Sequence, residues 1–214
     1  MSSSRRASEL TVRLRPSPGA ARGLLVLLHG LGADEDDLLG LAPALPADLS
    51  YAAVRAPLGH DWGGYAWYPL ASPQEEEPEI RASLTALVAC LKTLPARSGV
   101  DAERTAVLGF SQGAVMAAGL ITAPHAPTLA GHVLLSGYHH PAFRLPPTLN
   151  LTGRAVFVGH GSEDAVVPFA AGRDLAEQLR QHGATVSWHP YPMGHGIQDA
   201  ELADVRAWLT RILP

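Results

Sequence analysis

The chain has 214 residues, of which 47% are hydrophobic and 17% are charged, and its formal net charge is −4 at pH 7. This length and composition predict a soluble globular domain with a substantial core, and they exclude a disordered chain. Because the sequence has no block of basic residues, nucleic acid is not expected as the main partner. No apolar run approaches the roughly 20 residues needed to cross a bilayer, so we do not expect stable membrane insertion.

The two ends of the chain and its single cysteine allow further predictions. Residues 1–8 are predicted to form a flexible tail, and residues 9–214 a single domain. The tail contains two arginines without an apolar segment behind them, so we predict no secretory signal and expect a cytoplasmic location. The lone Cys90 excludes an internal disulfide, and its apolar neighbours at helical spacing indicate that it fills core.

Strands and helices are predicted to alternate along the chain. In the first half, the pattern predicts an edge strand at residues 9–15, a buried strand at 24–28, a helix from 34 to 45, a short strand at 52–56 and a helix from 75 to 94. In the second half, it predicts strands at residues 131–136, 155–159 and 184–191, with helices at 169–182 and 199–213. Such alternation requires a mostly parallel sheet covered by helices on both faces, with ligands at the carboxyl ends of the strands.

Residues 109–113, with the sequence GFSQG, form a G-x-S-x-G motif between an apolar, strand-forming segment and a segment rich in Ala, Met and Leu. This context of strand, turn and helix is the one that a nucleophile elbow requires. We expect the two glycines because the tight turn brings the residues on either side of the serine so close that a Cβ would clash. By itself the motif also fits an ordinary turn, so the other parts of a hydrolase site have to be found.

A serine hydroxyl becomes a good nucleophile only when a base accepts its proton and a carboxylate orients that base. After Ser111, the loop that follows a later strand offers Glu163 and Asp164, and the loop after the last strand offers His195 between two glycines. The chain order of serine, acid and histidine is that of the α/β-hydrolases.

Two other groups of residues invite a functional interpretation. Residues 60–69 fit neither helical nor strand periodicity, and they contain Trp62, Tyr65, Trp67 and Tyr68. A packed surface loop is one explanation, but a wall of a binding site is favoured because large aromatic residues in loops usually cover something. The paired histidines at residues 139–140 raise the alternative of a metal site, but no third ligand stands at a suitable local spacing, so no metal or other cofactor is expected.

Four motifs together resemble those of one known family. They are HGLGAD at residues 29–34, GFSQGA at 109–114, HGSEDAVVP at 160–168 and GHG at 194–196. In this order they resemble the phospholipase/carboxylesterase family of α/β-hydrolases, which includes acyl-protein thioesterases and small bacterial carboxylesterases. The resemblance covers about residues 22–213 and implies an α/β-hydrolase fold, with a mostly parallel central sheet and helices on both faces.

The resemblance also implies the roles of individual residues. It makes Ser111 the nucleophile, Asp164 the orienting carboxylate and His195 the base. The aspartate is chosen over the preceding glutamate because the family pattern H-G-x-x-D-x-V-V-P aligns on it. Leu31 and Gln112 would supply the backbone N–H groups of an oxyanion hole.

The sequence departs from the long-chain thioesterases of the family in ways that bear on the substrate. The loops after Gly137 and between Pro69 and Glu77 look short, and the four aromatic residues suggest a compact pocket instead of an extended groove. We therefore predict a serine carboxylesterase that hydrolyses small to medium esters through an acyl-enzyme.

Two alternatives remain open at this point. An acyl-protein thioesterase or lysophospholipase would use the same triad on longer acyl chains. A non-catalytic binding protein on a hydrolase fold is disfavoured because no member of the triad is missing. The expected partner is a small-molecule ester; homodimers are common among similar proteins, but the sequence shows no self-complementary patch.

Overall fold

The computed structural model describes residues 9–213, so the predicted tail at residues 1–8 lies outside the described residues. The described residues form these strands: β1 (Val12–Arg15), β2 (Gly23–Leu28), β3 (Leu49–Val54), β4 (Leu58–Gly59), β5 (Tyr65–Ala66), β6 (Thr105–Phe110), β7 (Gly131–Leu135), β8 (Ala155–Gly161) and β9 (Thr185–Tyr191). The α-helices are α1 (Pro73–Ser98), α2 (Gln112–Thr122), α3 (Phe169–Gln181) and α4 (Asp199–Ile212).

The main sheet has seven strands in the order β1-β3-β2-β6-β7-β8-β9. Strand β1 pairs with β3 in the antiparallel direction, and the remaining neighbours are parallel. The inner strands are apolar on both faces because each face is covered: α1, α2 and α3 pack on one side, while α4 and a short 3₁₀ helix pack on the other. This arrangement confirms the predicted α/β fold class.

The helix expected from residue 34 to 45 is wrong in type and extent. A 3₁₀ helix covers Leu38–Ala44, and the acidic residues before it form turns. The side chain of Asp34 accepts the backbone N–H of Asp36, which offers the backbone an alternative to a helical hydrogen bond. Glu35 forms an ion pair with Arg55, so its carboxylate makes a tertiary contact instead of stabilising a helix N-terminus.

Several other boundaries differ from the predictions by a few residues. The strand expected at residues 52–56 lies at Leu49–Val54, and the helix expected from 75 to 94 extends over Pro73–Ser98. Helix α1 begins early because Glu75 accepts the backbone N–H of Ser72, as in a capping box. Its end coincides with Gly99, whose φ of 70° is readily adopted by glycine.

The topology places four loops at one edge of the sheet. Strands β2, β6, β8 and β9 run parallel, so their carboxyl ends lie on the same side, with β6 and β8 on either side of β7. The motif loops identified in the sequence directly follow these four strands. Among the described residues, no helix combines the length and the apolar character that crossing a bilayer would require.

Candidate active site

The nucleophile elbow is a sharp turn between β6 and α2. Ser111 stands at its apex with a φ of 54° and a ψ of −119°, outside the regions that residues with a side chain prefer. A Cβ on Gly109 would lie 2.1 Å from the carbonyl oxygen of Gly113, and a Cβ on Gly113 would lie 1.9 Å from the carbonyl oxygen of Leu28. The structure thus confirms that the turn needs glycine at both positions.

A continuous chain of hydrogen bonds joins the three residues expected to form a triad. His195 Nε2 lies 3.0 Å from Ser111 Oγ, and His195 Nδ1 lies 2.7 Å from Asp164 Oδ2. Because a carboxylate only accepts hydrogen bonds, Nδ1 carries the proton of the neutral imidazole and Nε2 is left as an acceptor. The arrangement can therefore accept the proton of the serine hydroxyl.

Asp164 is held by its own loop as well as by His195. Its Oδ1 accepts hydrogen bonds from the backbone N–H groups of Val166 and Val167, at 2.9 and 2.8 Å. Burial acts to raise the pKa of Asp164, but the hydrogen bonds from His195 and from the two valine amides outweigh it, so the pKa lies below the ordinary value of 3.8. The neighbouring Glu163 is exposed to solvent, and the structure brings only Asp164 to the histidine.

Leu31 and Gln112 lie beside Ser111 in the lining of one cavity. Within residues 9–213, neither backbone N–H makes a hydrogen bond, so both are available to an added oxygen. The loop that carries Leu31 is fixed by His29, whose Nε2 accepts the N–H of Ala56 and whose Nδ1 lies 2.7 Å from the carbonyl of Gly30. Burial lowers the pKa of His29, which favours the neutral ring that this pattern requires.

The cavity in front of Ser111 has a volume of about 580 Å³ and is mostly apolar. Its other lining residues are Gly30, Tyr68, Leu70, Phe110, Tyr138, Val166, Val167, Pro168, Ala171 and His195. The size lies in the range typical of sites for small molecules.

The structure places only one of the four predicted substrate-binding aromatics in the cavity. Tyr68 lines it, whereas Trp62 is 91% exposed at the turn between β4 and β5. The ring of Tyr65 packs 4.5 Å beneath the guanidinium of Arg55. Trp67 is buried below the site, where its Nε1 donates a hydrogen bond to the carbonyl of His29. The prediction that Trp62, Tyr65 and Trp67 form cavity walls is therefore wrong. The hairpin exposes Trp62 to solvent, and Tyr65 and Trp67 contact neighbouring loops instead.

Sequence reasoning missed several residues of the cavity. Tyr138 stands beside the histidine pair, which alone drew a functional interpretation, and Leu70 lies in a loop noted only for its length. Val166 and Pro168 belong to the motif at residues 160–168, which was used only to assign Asp164. Their place in that motif, and the place of Tyr138 just after β7, are the signals that could have found them. Phe110, which directly precedes Ser111, also lines the cavity, and its ring centroid lies 4.9 Å from that of His195.

The histidine pair after β7 is engaged in protein contacts. His140 Nε2 lies 2.8 Å from Glu76 Oε2, and His139 Nε2 lies 2.6 Å from the carbonyl oxygen of Phe143. In the part of the chain that the structure describes, no group of three or more His, Cys, Asp or Glu side chains is arranged to hold a metal ion.

Comparison with known proteins shows the family and the fold of the chain. A family model for phospholipase/carboxylesterase matches residues 13–213. Lysophospholipase-like protein 1 of Mus musculus is 27% identical over 89% of this chain and 87% of that protein, and acyl-protein thioesterase 1 of Debaryomyces hansenii is 26% identical over 94% and 96%. The crystal structure of a carboxylesterase from Mesorhizobium loti superimposes with a TM-score of 0.85 and 27% identity, covering 97% of this chain and 96% of that one. The chain therefore belongs to the phospholipase/carboxylesterase family and is a serine hydrolase.

Proposed function

We propose that this protein is a carboxylesterase that hydrolyses small to medium carboxylic esters through an acyl-enzyme. The observation that carries the proposal is the hydrogen-bonded series from Ser111 Oγ through His195 to Asp164, which opens onto an apolar cavity beside two free backbone N–H groups. Such a constellation has the nucleophile, the base, the orienting carboxylate and the oxyanion donors that acyl transfer needs.

The reaction proceeds in two halves. In the first, Ser111 Oγ attacks the ester carbonyl carbon while His195 Nε2 takes the hydroxyl proton, and the carbonyl π electrons move onto oxygen. The oxyanion accepts hydrogen bonds from the N–H groups of Leu31 and Gln112, helped by the positive end of α2. Collapse of the intermediate breaks the bond to the alcohol oxygen, which leaves with the proton from Nε2. Water then repeats the sequence on the acyl-enzyme and releases the carboxylic acid.

Asp164 contributes by holding His195 in one tautomer and orientation. Its ionised carboxylate accepts a hydrogen bond from Nδ1–H and stabilises the imidazolium that forms while the histidine carries the serine proton. The two valine amides on its other oxygen keep this carboxylate from rotating away. The carboxylate itself remains ionised throughout.

The cavity favours esters of limited size. Tyr68 is fully buried and closes part of the wall, and the apolar lining suits a hydrocarbon chain. Longer acyl groups are the second candidate, because Leu70 and Val166 line the same cavity yet are each 68% exposed, which continues an apolar surface beyond its mouth. Such a surface would suit the substrates named for an acyl-protein thioesterase or a lysophospholipase-like relative.

Two measurements test the proposal. A fluorophosphonate probe should label Ser111, and a protein that binds ligands without catalysis should stay unlabelled. A panel of p-nitrophenyl esters from two to sixteen carbons, with palmitoyl-CoA beside it, should give the highest kcat/KM at about eight carbons or fewer. If the sixteen-carbon substrates are preferred by tenfold or more, the thioesterase assignment replaces the carboxylesterase one.

A further inference from the structure

Two tyrosine hydroxyls meet in the wall of the cavity. The hydroxyl oxygens of Tyr68 and Tyr138 lie 3.1 Å apart, and both residues line the cavity that contains Ser111. The Gln112 side chain, the other polar group of the lining outside the triad, is occupied by the backbone of Trp67 and Tyr68. The tyrosine pair is therefore a polar feature of the cavity that the proposed chemistry leaves unused.

One of the two tyrosine hydroxyls has a proton that is not used in a hydrogen bond. Each hydroxyl carries one proton, and their mutual hydrogen bond uses only one of the two. Between residues 9 and 213, neither hydroxyl has another partner. Tyr68 is fully buried, so its proton points to Tyr138, because a buried donor without an acceptor is costly. The proton of the partly buried Tyr138 is then the one left facing the cavity.

A buried network holds the two rings in place. His140 packs against both, with ring centroids 5.7 Å from Tyr68 and 6.3 Å from Tyr138. Its Nδ1 accepts the backbone N–H of Ala142 at 3.0 Å, so its Nε2 carries the proton that is donated to Glu76. Glu76 also accepts a hydrogen bond from the backbone N–H of Ala71. The two rings are therefore held in place, with the Tyr68 hydroxyl donating to the Tyr138 hydroxyl.

The negative charge of Glu76 determines which kind of ligand oxygen can accept a hydrogen bond from the tyrosine pair. Burial is the main cause that raises the pKa of Tyr68 and of Tyr138, and the negative charge of Glu76 acts in the same direction. Both hydroxyls therefore keep their protons at neutral pH and can donate. A neutral acceptor oxygen fits this environment, whereas a second carboxylate would be repelled by Glu76.

For a small ester, we assign the acyl group to the tyrosine pair. The alcohol has to leave to solvent after the first half-reaction, while the acyl group stays attached to Ser111 and occupies the enclosed part of the cavity. Tyr68, with no exposed surface, belongs to that enclosed part, and the exposed Leu70 and Val166 mark the open side.

We propose that Tyr138, oriented by Tyr68, is a specificity-determining residue, and that the preferred substrates are esters whose acyl chain carries a neutral acceptor oxygen, such as a ketone. This inference rests on the proposed esterase function and names its substrate class. An acyl oxygen that accepts a hydrogen bond from the Tyr138 hydroxyl satisfies a donor that a plain alkanoyl chain would leave without a partner. Sites built to hydrogen-bond a substrate reject analogues that lack the group.

The test uses pairs of p-nitrophenyl esters that differ only in one ketone oxygen: 4-oxopentanoate with pentanoate, 5-oxohexanoate with hexanoate, and 6-oxoheptanoate with heptanoate. The readout is the ratio of kcat/KM within each pair, after subtraction of the uncatalysed rate, because this ratio cancels general effects on folding and chemistry. In the unmodified protein we expect at least one oxo ester to be preferred by about tenfold. Tyr138→Phe, which removes only the hydroxyl, should lower that ratio at least fivefold.

The control is Tyr191→Phe, which removes a hydroxyl that donates to Asp204. Tyr191 lies at the end of β9, Asp204 lies on α4, and neither lines the cavity, so the ratio and the activity should stay unchanged. Tyr68→Phe should give a smaller loss of the ratio than Tyr138→Phe, because the donor remains but loses its orientation. Hydrolysis of all the esters without any preference for an oxo ester, or a preference that survives Tyr138→Phe, would overturn this inference alone. Absence of both hydrolysis and fluorophosphonate labelling in the folded protein would overturn the esterase function and this inference with it.

Discussion

The side chain of Gln112 is hydrogen-bonded to the backbone of Trp67, with Oε1 accepting the N–H at 3.0 Å. Its Nε2 donates to the carbonyl of Tyr68 at 2.9 Å, so one buried amide holds two consecutive residues of the aromatic segment. Gln112 is thus connected to the site in two ways. Its backbone N–H, which has no partner in the described residues, is a proposed oxyanion donor, and its side chain fixes the cavity wall to the elbow.

Gln112→Ala should separate these two roles. We expect kcat to fall by less than about tenfold, because the backbone N–H remains in place. The free energy of unfolding should fall by about 2–4 kcal/mol, because a buried N–H and a buried C=O lose their partners. Urea denaturation and steady-state kinetics measure the two effects. For comparison, Leu31→Pro deletes a proposed oxyanion donor and should lower kcat by roughly 10²–10³ in a protein whose circular dichroism is unchanged. Equal losses of kcat in the two variants would contradict the oxyanion assignment.

Ser111→Ala should abolish nearly all ester hydrolysis, with a loss in kcat of roughly 10⁴–10⁶, because no other hydroxyl occupies the elbow. The fold should persist, since alanine occupies less space at the same turn. Ser187→Ala on β9, remote from the cavity, is the matched control and should keep full activity. Activity of the Ser111 variant within tenfold of the parent, in a preparation free of other esterases, would place the nucleophile elsewhere.

Gly113→Ala should destabilise the protein by more than about 3 kcal/mol, or prevent folding, because the added Cβ would meet the backbone of Leu28 at 1.9 Å. Gly40→Ala provides the matched control, since its Cβ would meet no atom within 4 Å and its φ is not in the left-handed range. Thermal unfolding of the two variants gives the comparison. A Gly113 variant as stable as the Gly40 variant would show that the elbow is less crowded than the structure indicates.

Glu201→Gln should change how stability depends on pH. Glu201 is fully buried in the first turn of α4, and neither carboxyl oxygen has a hydrogen-bond partner in the described residues. Burial raises its pKa from 4.5 to about 8. The folded state thus holds this proton more tightly than the unfolded chain, and the parent loses stability as pH rises from about 4.5 to about 8.

The glutamine variant lacks this titration. Its advantage over the parent in the free energy of unfolding should therefore grow across that pH range by about 3–5 kcal/mol and then level off. Urea denaturation of both proteins at pH 5, 7 and 9 measures the difference. A difference that does not change with pH would show that Glu201 is ionised in the folded protein at all three values.

The proximity of Ser111, Asp164 and His195 could be predicted because each residue stands in a recognisable motif directly after a strand of the parallel sheet. The glycines at residues 109 and 113 mark a turn that no other residue can form, and parallel strands necessarily bring their following loops to one edge. The alternating pattern likewise predicted the layered fold. The elbow turn and the alternation of strands and helices depend on residues that are close together in the sequence, so the sequence shows them directly.

The walls of the cavity could not be predicted in the same way. Trp62, Trp67 and Tyr68 stand within seven residues, yet one is exposed, one is buried below the site and one lines the cavity. The positions of these side chains depend on the hairpin of β4 and β5 and on the side chain of Gln112, which is distant in sequence. The helix expected at residues 34–45 failed for a similar reason, because Arg55 recruits Glu35 from another part of the chain.

The order of the site along the chain has a consequence for biosynthesis. His195 follows Ser111 by 84 residues, and Asp164 comes between them. At a ribosomal rate of about 5–20 residues per second, roughly 4–17 s pass between synthesis of the serine and of its base. During that interval the nascent chain carries Ser111 without its proposed base. With the proposed triad, we expect ester hydrolysis only after β9 has docked on β8 and His195 has reached Ser111.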